Sequence, residues 1–428
     1  EGADALRWFF YSSTNPWTNT RFSRPAVRDA QKEFLLKIRN VYSFFVIYAN
    51  IDGFDPSKSD ALMPAASRGE KFYTQLDKWI LSELNITTKQ VRECLDGYDI
   101  YAAAQALNAF AESLSNWYVR RSRDRFWASW EKPDRSSHRD AEKLGAYYTL
   151  YGCLLGVAKL AAPFVPFMTD ELWQNLAVNP WGGTSTRPES LKDSVHLCDY
   201  PEADESMIDR ALADEIALVR EVASLGRAAR ATSKLKTRQP LKEATIVLSH
   251  TFTSMTQSGL RVNFSNYQEM ISKHIQTLGE ELNVKTISFA LEPDSYVNYE
   301  IKPNFKAIGT RYRESVPLIK AALAKSDPKV VRSKLSEAGV FRLPLTSSPA
   351  MEATDFADLT WDDIEVTLKA KEGYAAASGR SVVVVLDTHL TPELLDEGIA
   401  RELVNRINGW RGDLNLAYEQ RIRVTLKG

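Results

Sequence analysis

The sequence predicts a multidomain chain: an all-α helical bundle followed by α+β modules. Three observations carry that prediction. Apolar residues step by three and four through residues 1–177, a Gly, Pro, Ser and Thr-rich stretch without periodicity begins at Val178, and beyond it β-rich runs alternate with helical patterns. The expected division is a helical bundle over 1–177, a linker over 178–204, a first α+β module over 205–300, and further α+β modules over 301–428 that stop short at the end. A chain of 428 residues exceeds one ordinary core. Its 44% hydrophobic and 25% charged content is that of a soluble globular protein. No apolar run reaches the roughly 18 residues of a membrane span, so no membrane partner is expected. The chain opens at Glu1 in what reads as mid-helix, which suggests a segment of something larger.

Taken in order, Val27, Ala30, Phe34, Ile38, Val41, Phe45 and Tyr48 form one apolar stripe along a helix of about six turns. Leu76, Ile80, Leu84, Val91 and Leu95 form a second, stopped at Asp96-Gly97. A third runs Ala103, Leu107, Phe110, Leu114, Trp117 and Arg121, and a fourth fills Leu144 to Leu160. Short polar joins between them predict an antiparallel bundle. Pro163 and Pro166 break the fourth helix, and Thr169 is expected to cap a short helix carrying Asp170 and Glu171 in its first turn. After the linker come a helix over Glu205 to Arg230, a strand over Ala244 to Ser249, a helix over Tyr267 to Leu282 and a strand over Val284 to Leu291. "DIEVTLKA" and "GRSVVVVLD" read as paired strands. The last helix starts at Thr391-Pro392 and leads to a terminal strand, "QRIRVTLKG". Helix, arginine-bearing loop and strand thus occur in that order twice, around Arg227 to Leu248 and around Arg406 to Leu426.

The charge pattern points to a polyanion, although the formal charge is only -1. "NWYVRRSRDRFW" sets Arg120, Arg121, Arg123 and Arg125 at steps of three and four with Asp124 as the only acid, so like charges stack along the helix. Either carboxylates of neighbouring helices face them, with Trp117, Phe126 and Trp127 as core, or phosphates do, since guanidinium forks match phosphate oxygens and aromatic faces stack on bases. Between Glu221 and Glu243 no acid intervenes, while Arg227, Arg230, Lys234, Lys236, Arg238 and Lys242 accumulate. "EIKPNFKAIGTRYR" adds Lys302, Lys306, Arg311 and Arg313 around Phe305 and Tyr312. Separated cationic, aromatic segments suit an extended nucleic acid better than a small anion.

Other chemistry finds no footing. Gly152 and Gly156 lack phosphate-loop spacing and are expected at close helix contacts. The five histidines have neither a partner at metal-ligand spacing nor a nucleophile motif beside them, so no catalytic residue and no metal site is assigned. Cys94, Cys153 and Cys198 are odd in number and far apart, which argues against a disulfide framework or zinc ribbon and for a reducing cytoplasm.

"GADALRWFF", "NVYSFFVIYANIDGFDP", "NWYVRRSRDRFW" and "LAAPFVPFMTDELWQNL" resemble the anticodon-binding helical domain of class I aminoacyl-tRNA synthetases, and most closely the isoleucyl-tRNA synthetase family. "SVHLCDYPE", "KTRQPL", "KPNFKAIGTRY" and "EGIARELVNRINGWR" extend the likeness over nearly the whole chain. The resemblance implies part of an enzyme that charges tRNA(Ile) with isoleucine in two ATP-dependent steps. The His-Ile-Gly-His signature is absent and "ATSKLK" is a misplaced echo of the KMSKS loop, so the segment should be inactive alone, with ATP and Mg belonging to a catalytic domain outside it. Its expected partners are tRNA(Ile) and the catalytic and editing domains of the same polypeptide. No cysteine follows Cys198, unlike bacterial members that end in a four-cysteine zinc site, which favours the branch typified by eukaryotic cytosolic enzymes. Expected phosphate contacts are Arg120, Arg121, Arg123 and Arg125, the cluster Arg227, Arg230, Lys234, Lys236 and Arg238, and Lys302, Lys306 and Arg311; Tyr312, Trp410 and Arg411 are candidates for base stacking and reading. A non-enzymatic helical RNA-binding or scaffold protein is the competing expectation.

Overall fold

The computed structural model describes residues 2–58, 72–132, 137–182, 187–248, 253–255, 261–291, 295–345, 355–379, 382–416 and 420–425. They form two units, Glu1–Ala213 and Asp214–Gly428.

The first unit is a helical bundle: α1 (Ala3–Ser12), α2 (Arg24–Glu33), α3 (Leu35–Asp52), α4 (Gln75–Asp96), α5 (Ile100–Glu112), a π-helical stretch (Ser113–Val119), α6 (Arg120–Trp127), α7 (His138–Ala161) and α8 (Pro166–Trp173). The first predicted helix is broken in two at Phe34, whose backbone leaves the helical region at φ -125. Neither Gly nor Pro causes the break: the Phe34 ring is fully buried and stacks on Trp8 at 4.2 Å, and that packing overrides the continuous stripe. Helix α4 begins with a capping box between Thr74 and Asp77 and ends at Gly97, as its pattern indicates. Thr169 is not a cap. It lies inside α8 and returns its hydroxyl to the Val165 carbonyl at 2.9 Å. The free amides at the start of α8 are met instead by Asp4 of α1, which accepts from Met168 N at 2.7 Å, while Arg7 donates to the Phe164 and Pro163 carbonyls at 3.0 and 2.8 Å. Residues expected as a linker fold back on the bundle, with Leu191 and Val195 buried. Trp173 Nε1 donates to the Lys192 carbonyl at 2.8 Å, and Tyr200 donates to the Leu160 carbonyl at 2.9 Å.

The second unit contains most of α9 (Arg210–Thr232), then β1 (Leu241–Leu248), β2 (Thr253–Met255), β3 (Arg261–Asn263), α10 (Phe264–Ser272), α11 (Ile275–Leu282), β4 (Val284–Ala290), β5 (Val297–Pro303), α12 (Phe305–Tyr312), α13 (Val316–Lys325), α14 (Pro328–Ala338), β6 (Phe341–Leu345), β7 (Asp355–Leu359), β8 (Ile364–Ala370), β9 (Tyr374–Ser378), β10 (Val382–Asp387) and α15 (Pro392–Asp413). Its main sheet has the order β4-β1-β10-β9, with β1 parallel to β4 and antiparallel to β10. The two apolar strands expected to pair with each other do not: β8 pairs with β5, and β10 pairs with β1 and β9. A module from β5 to β8 is therefore inserted into the first sheet, with its own core of Ile308, Ile319, Leu323, Leu335, Leu343 and Leu359. The expected boundary at residue 300 falls inside β5. Thr391 caps α15 by accepting from Leu394 N at 3.4 Å, whereas residues 420–425 of the expected terminal strand have no regular structure and 426–428 lie outside the described residues.

Glycines in α7 divide by what surrounds them. A Cβ on Gly145 would stand 1.6 Å from the Phe72 carbonyl oxygen, and one on Gly156 would press Leu84 at 3.0 Å, but one on Gly152 would meet nothing within 4 Å. Gly156 is thus a close contact as expected, and Gly152 is not. Chemical denaturation should show Gly145→Ala losing about 1–3 kcal/mol or more through overpacking, with Gly152→Ala unchanged or up to about 1 kcal/mol more stable.

Candidate nucleic-acid interface

The arginine segment owes its placement to the π-helical stretch. Continued as a regular α-helix, the stripe Ala103, Leu107, Phe110, Leu114, Trp117 would drive Arg121 into the core. The wider turn of Ser113–Val119 absorbs an extra residue, which rotates everything after it by about 100°. Ser122 and Phe126 consequently take the buried stripe, and Arg121 moves to its half-exposed edge. Arg120 and Arg123 are exposed. The Arg120 and Arg121 guanidinium groups flank the Trp117 ring at 5.6 and 5.9 Å, and Arg120 Nε donates to the Asn116 carbonyl at 2.8 Å.

Arg125 is different. Its Nη1 and Nη2 form a two-pronged pair with the fully buried Asp77 carboxylate at 2.6 and 2.8 Å, and Nη2 also donates to Ser122 Oγ at 2.9 Å. Tyr118 donates to Asp77 Oδ1 at 2.6 Å. Burial pushes the Tyr118 hydroxyl well up; for Arg125, burial opposes the charge, but the Tyr118 oxygen and the Asp77 carboxylate outweigh it and hold its proton more firmly. Arg125, expected to meet phosphate, is an internal brace between α4 and α6. The far end of α6 is clamped by Lys143, which pairs with Asp52 at 2.7 Å and donates to the Ala128 carbonyl at 2.6 Å. Trp127 is 56% exposed, its indole N–H donating to Tyr48 at 2.7 Å, so one ring of the segment offers a face to solvent while Trp117 and Phe126 are core.

In the second unit the six clustered cations also separate. Arg230, 2% exposed, donates to the Leu282, Asn283, Lys236 and Gln239 carbonyls at 2.7 to 3.0 Å, and burial pushes its pKa down to about 10. It is a clip that ties α9 to α11 and to the following loop, a correction to its expected phosphate role. Arg227 pairs with the buried Glu281 at 3.0 Å, and Arg238 with Glu402 at 3.7 Å and Asn405 at 2.8 Å. Lys234 and Lys236 are exposed on the loop wrapped around the clip, and Lys242 is exposed on β1. Lys234 takes the left-handed conformation at φ 55 that turns the loop.

The third segment is mostly structural. Arg311 pairs with the buried Asp363 at 2.5 Å, Tyr312 donates to the Asp358 carbonyl at 2.7 Å, and Lys302 pairs with Glu300 at 3.5 Å, which leaves Lys306, Arg313 and the exposed Phe305. Trp410 is 58% exposed, and Arg411 donates to the Gln420 carbonyl at 2.9 Å. Sequence reading passed over Trp17 and Phe22, 77% and 62% exposed beside Arg21 in the α1–α2 loop. Their signal was the aromatic and basic alternation of "WTNTRFSR". Among the described residues, no group of three or more His, Cys, Asp or Glu side chains could hold a metal, and no helix is long and apolar enough to cross a membrane.

Residues 77–246 match the anticodon-binding domain of tRNA ligase. The isoleucine–tRNA ligases of Clostridium novyi and Clostridium acetobutylicum are each 36% identical over 100% of this chain and 37% of their own length. That of Deinococcus radiodurans is 35% identical over 100% of this chain and 35% of its own. A solved ternary complex of LeuRS, tRNA and LeuAMS from Agrobacterium radiobacter K84 aligns at 13% identity over 65% of this chain and 26% of that one, with a TM-score of 0.32, a likeness too slight to build on. Residues 77–246 thus carry a domain of the tRNA-ligase anticodon-binding class. More particularly, the chain is a homologue of the isoleucine–tRNA ligases, corresponding to the C-terminal portion of proteins of which it spans a little over a third.

Removing one partner of the buried pair separates brace from surface. Asp77→Ala should cost about 3–5 kcal/mol in urea unfolding, because it strands the Arg125 charge, whereas Arg123→Ala should stay within about 0.5 kcal/mol of the parent.

Proposed function

We propose that this chain is the tRNA-holding part of an isoleucine–tRNA ligase, seating tRNA(Ile) while catalytic and editing domains of the same polypeptide act elsewhere on the acceptor end. The observation that carries this reading is the match with isoleucine–tRNA ligases along all 428 residues. The charge layout agrees with it. Arg120, Arg121 and Arg123 on the bundle, and Lys234, Lys236, Lys242, Lys306 and Arg313 in the second unit, reach the surface at least in part, where a side chain can meet phosphate, a contact that positions RNA without reading its sequence. Trp127 and Trp410 present exposed rings that could stack on unpaired bases.

On this reading ATP and Mg serve a catalytic domain, and the present segment contributes binding energy far from the reacting ester. Such energy holds the acceptor end in place, so its loss lowers turnover as well as affinity. The cytoplasm is the compartment such an enzyme would occupy. A helical RNA-binding scaffold without a catalytic partner would share the bundle but would not favour tRNA(Ile) over other tRNAs.

Filter binding at two salt concentrations separates the readings. The chain should retain tRNA(Ile) more tightly than tRNA(Val), and equal retention would favour the scaffold. Arg121→Ala and Lys236→Ala should each weaken binding and lower the log-log salt slope by about one unit. Slopes unchanged in both variants would mean that these side chains face protein.

A further inference from the structure

A second polar feature of the first unit lies outside the arginine segment. Helices α2 and α3 meet α8 and the turn after it around a cleft of about 400 Å³, within the roughly 300–1,000 Å³ range of small-ligand sites. Its apolar lining comes from Leu35 and Leu172, both buried. Its polar groups include Arg39, Tyr42, Glu171 and Asn175, with Gln31 and Ser43 beside them. Tyr42 and Asn175 are hydrogen-bonded to each other, whereas Arg39 and Glu171, both exposed in the cleft, form neither an ion pair nor a hydrogen bond among the described residues. A guanidinium and a carboxylate that share a cleft without neutralising each other suit a ligand that is an anion at one end and a hydrogen-bond donor at the other.

A nucleotide meets that description: phosphate for Arg39, base face against the leucines, and N–H groups of the base edge for Glu171. Guanine fits best, because it alone presents two adjacent N–H donors on its pairing edge, matching both carboxylate oxygens. A second hollow, lined by Arg28, Gln31, Lys32 and Leu36, shares Gln31 and Leu36 with the cleft, and its Lys32 is paired with Asp29 at 3.0 Å. The position of the cleft favours RNA over a free nucleotide. Lys37, Phe44 and Tyr48 of α3 pack toward Glu112, Phe126 and Trp127, while Leu35, Arg39 and Tyr42 lie on the opposite side of the same helix. The exposed ridge of α3 therefore separates the cleft from the arginine segment by about one helix diameter, near 10 Å. A strand held by phosphate contacts on one side could drop an unstacked base into the other.

We propose that this cleft receives one unstacked nucleotide of the bound RNA, with Glu171 selecting guanine and Arg39 holding its phosphate. The proposal rests on the tRNA-holding reading and adds to it a specificity site.

The test uses the whole chain and RNA stem-loops with an all-uridine loop, into which one guanosine is placed at each loop position in turn. Wild type should favour the guanosine at one position or more by about tenfold, the worth of one good two-pronged base contact. Glu171→Gln, isosteric and exposed, removes the charge and one of the two acceptor oxygens and should cut that preference severalfold. Arg39→Ala should weaken every stem-loop and reduce the salt slope by about one unit. Glu171→Gln binding all stem-loops like wild type, while Arg121→Ala still weakens them, would overturn the cleft assignment and leave the tRNA-holding reading in place. Loss of effect in Arg121→Ala as well would remove that reading too. Guanosine monophosphate bound as tightly as the best stem-loop would instead make the cleft a free-nucleotide site and overturn the proposal.

Discussion

The buried carboxylate of Asp77 is the constraint on which the bundle's arrangement depends. An isolated ion in such a place would be several kcal/mol unfavourable even after relaxation, so every donor around it must be supplied by the fold. Thr74 gives its backbone N–H and hydroxyl at 2.9 and 2.7 Å, which also starts α4. Tyr118 and Arg125 give the rest. They lie seven residues apart, two turns on one face of a helix, so a single helix can bring both to one carboxylate only if that face is turned inward at that height. The π-helical stretch does the turning. The same rotation carries Arg121 out of the core, so the internal demand of Asp77 and the external display of the arginines have one geometric cause.

Arg230 plays a corresponding part in the second unit. With its fork filled by four backbone carbonyl groups, the charge is compensated by dipoles rather than by an acid, and its depressed pKa of about 10 still leaves it protonated at neutral pH. Because the Lys236 and Gln239 carbonyls point inward to this guanidinium, the loop must wrap around it with its side chains outward. Lys234 and Lys236 are thereby presented to solvent on a backbone held from inside. Their exposure is a property of the clip, not of a floppy loop, so less entropy would be lost if an anion were to order them.

Much of this was legible in the residue pattern, and the failures have a common origin. Stripes at three and four positions identify helices because one face must be buried, and they located α4, α7 and the α5–α6 rod. A stripe cannot reveal that Phe34 prefers to stack on Trp8 over continuing a helix, nor that a π turn will change phase in mid-run. Strand existence was likewise readable from "ATIVLS" and "SVVVVLD", but pairing was not, since β10, starting at Val382, reaches back past the inserted module to β1, which ends at Leu248. Thr169 had the right chemistry for a cap and lost to Asp4, a residue distant in sequence. For the site, clustering of arginines indicated where charge accumulates but not which guanidinium finds an internal acid. Arg125 and Arg123 look alike in the sequence, and only the position of Asp77 on another helix distinguishes them. The cleft beside α3 had no linear signature, because its charged groups, Arg39 and Glu171, come from segments far apart in the chain.

The near-zero net charge is then compatible with a nucleic-acid surface. Several cations of the three basic segments are already spent on the protein: Arg125 and Arg230 inside, and Arg227, Arg238, Arg311 and Lys302 against carboxylates. Pairs as exposed as Arg238 with Glu402 at 3.7 Å contribute about 0–1 kcal/mol, so a phosphate can displace the acid at little cost. The buried pairs cannot be displaced that way. What reaches the surface is a dispersed set of cations, of which Arg120 and Arg121 lie against Trp117 while Lys234 and Lys236 stand on a loop held from inside. A dispersed set gives limited non-specific attraction, and a protein that holds RNA through few phosphates must draw discrimination from base contacts. That requirement directs attention away from the most basic stretch of sequence and toward mixed sites, where a carboxylate stands open beside an arginine and a purely electrostatic reading would not look.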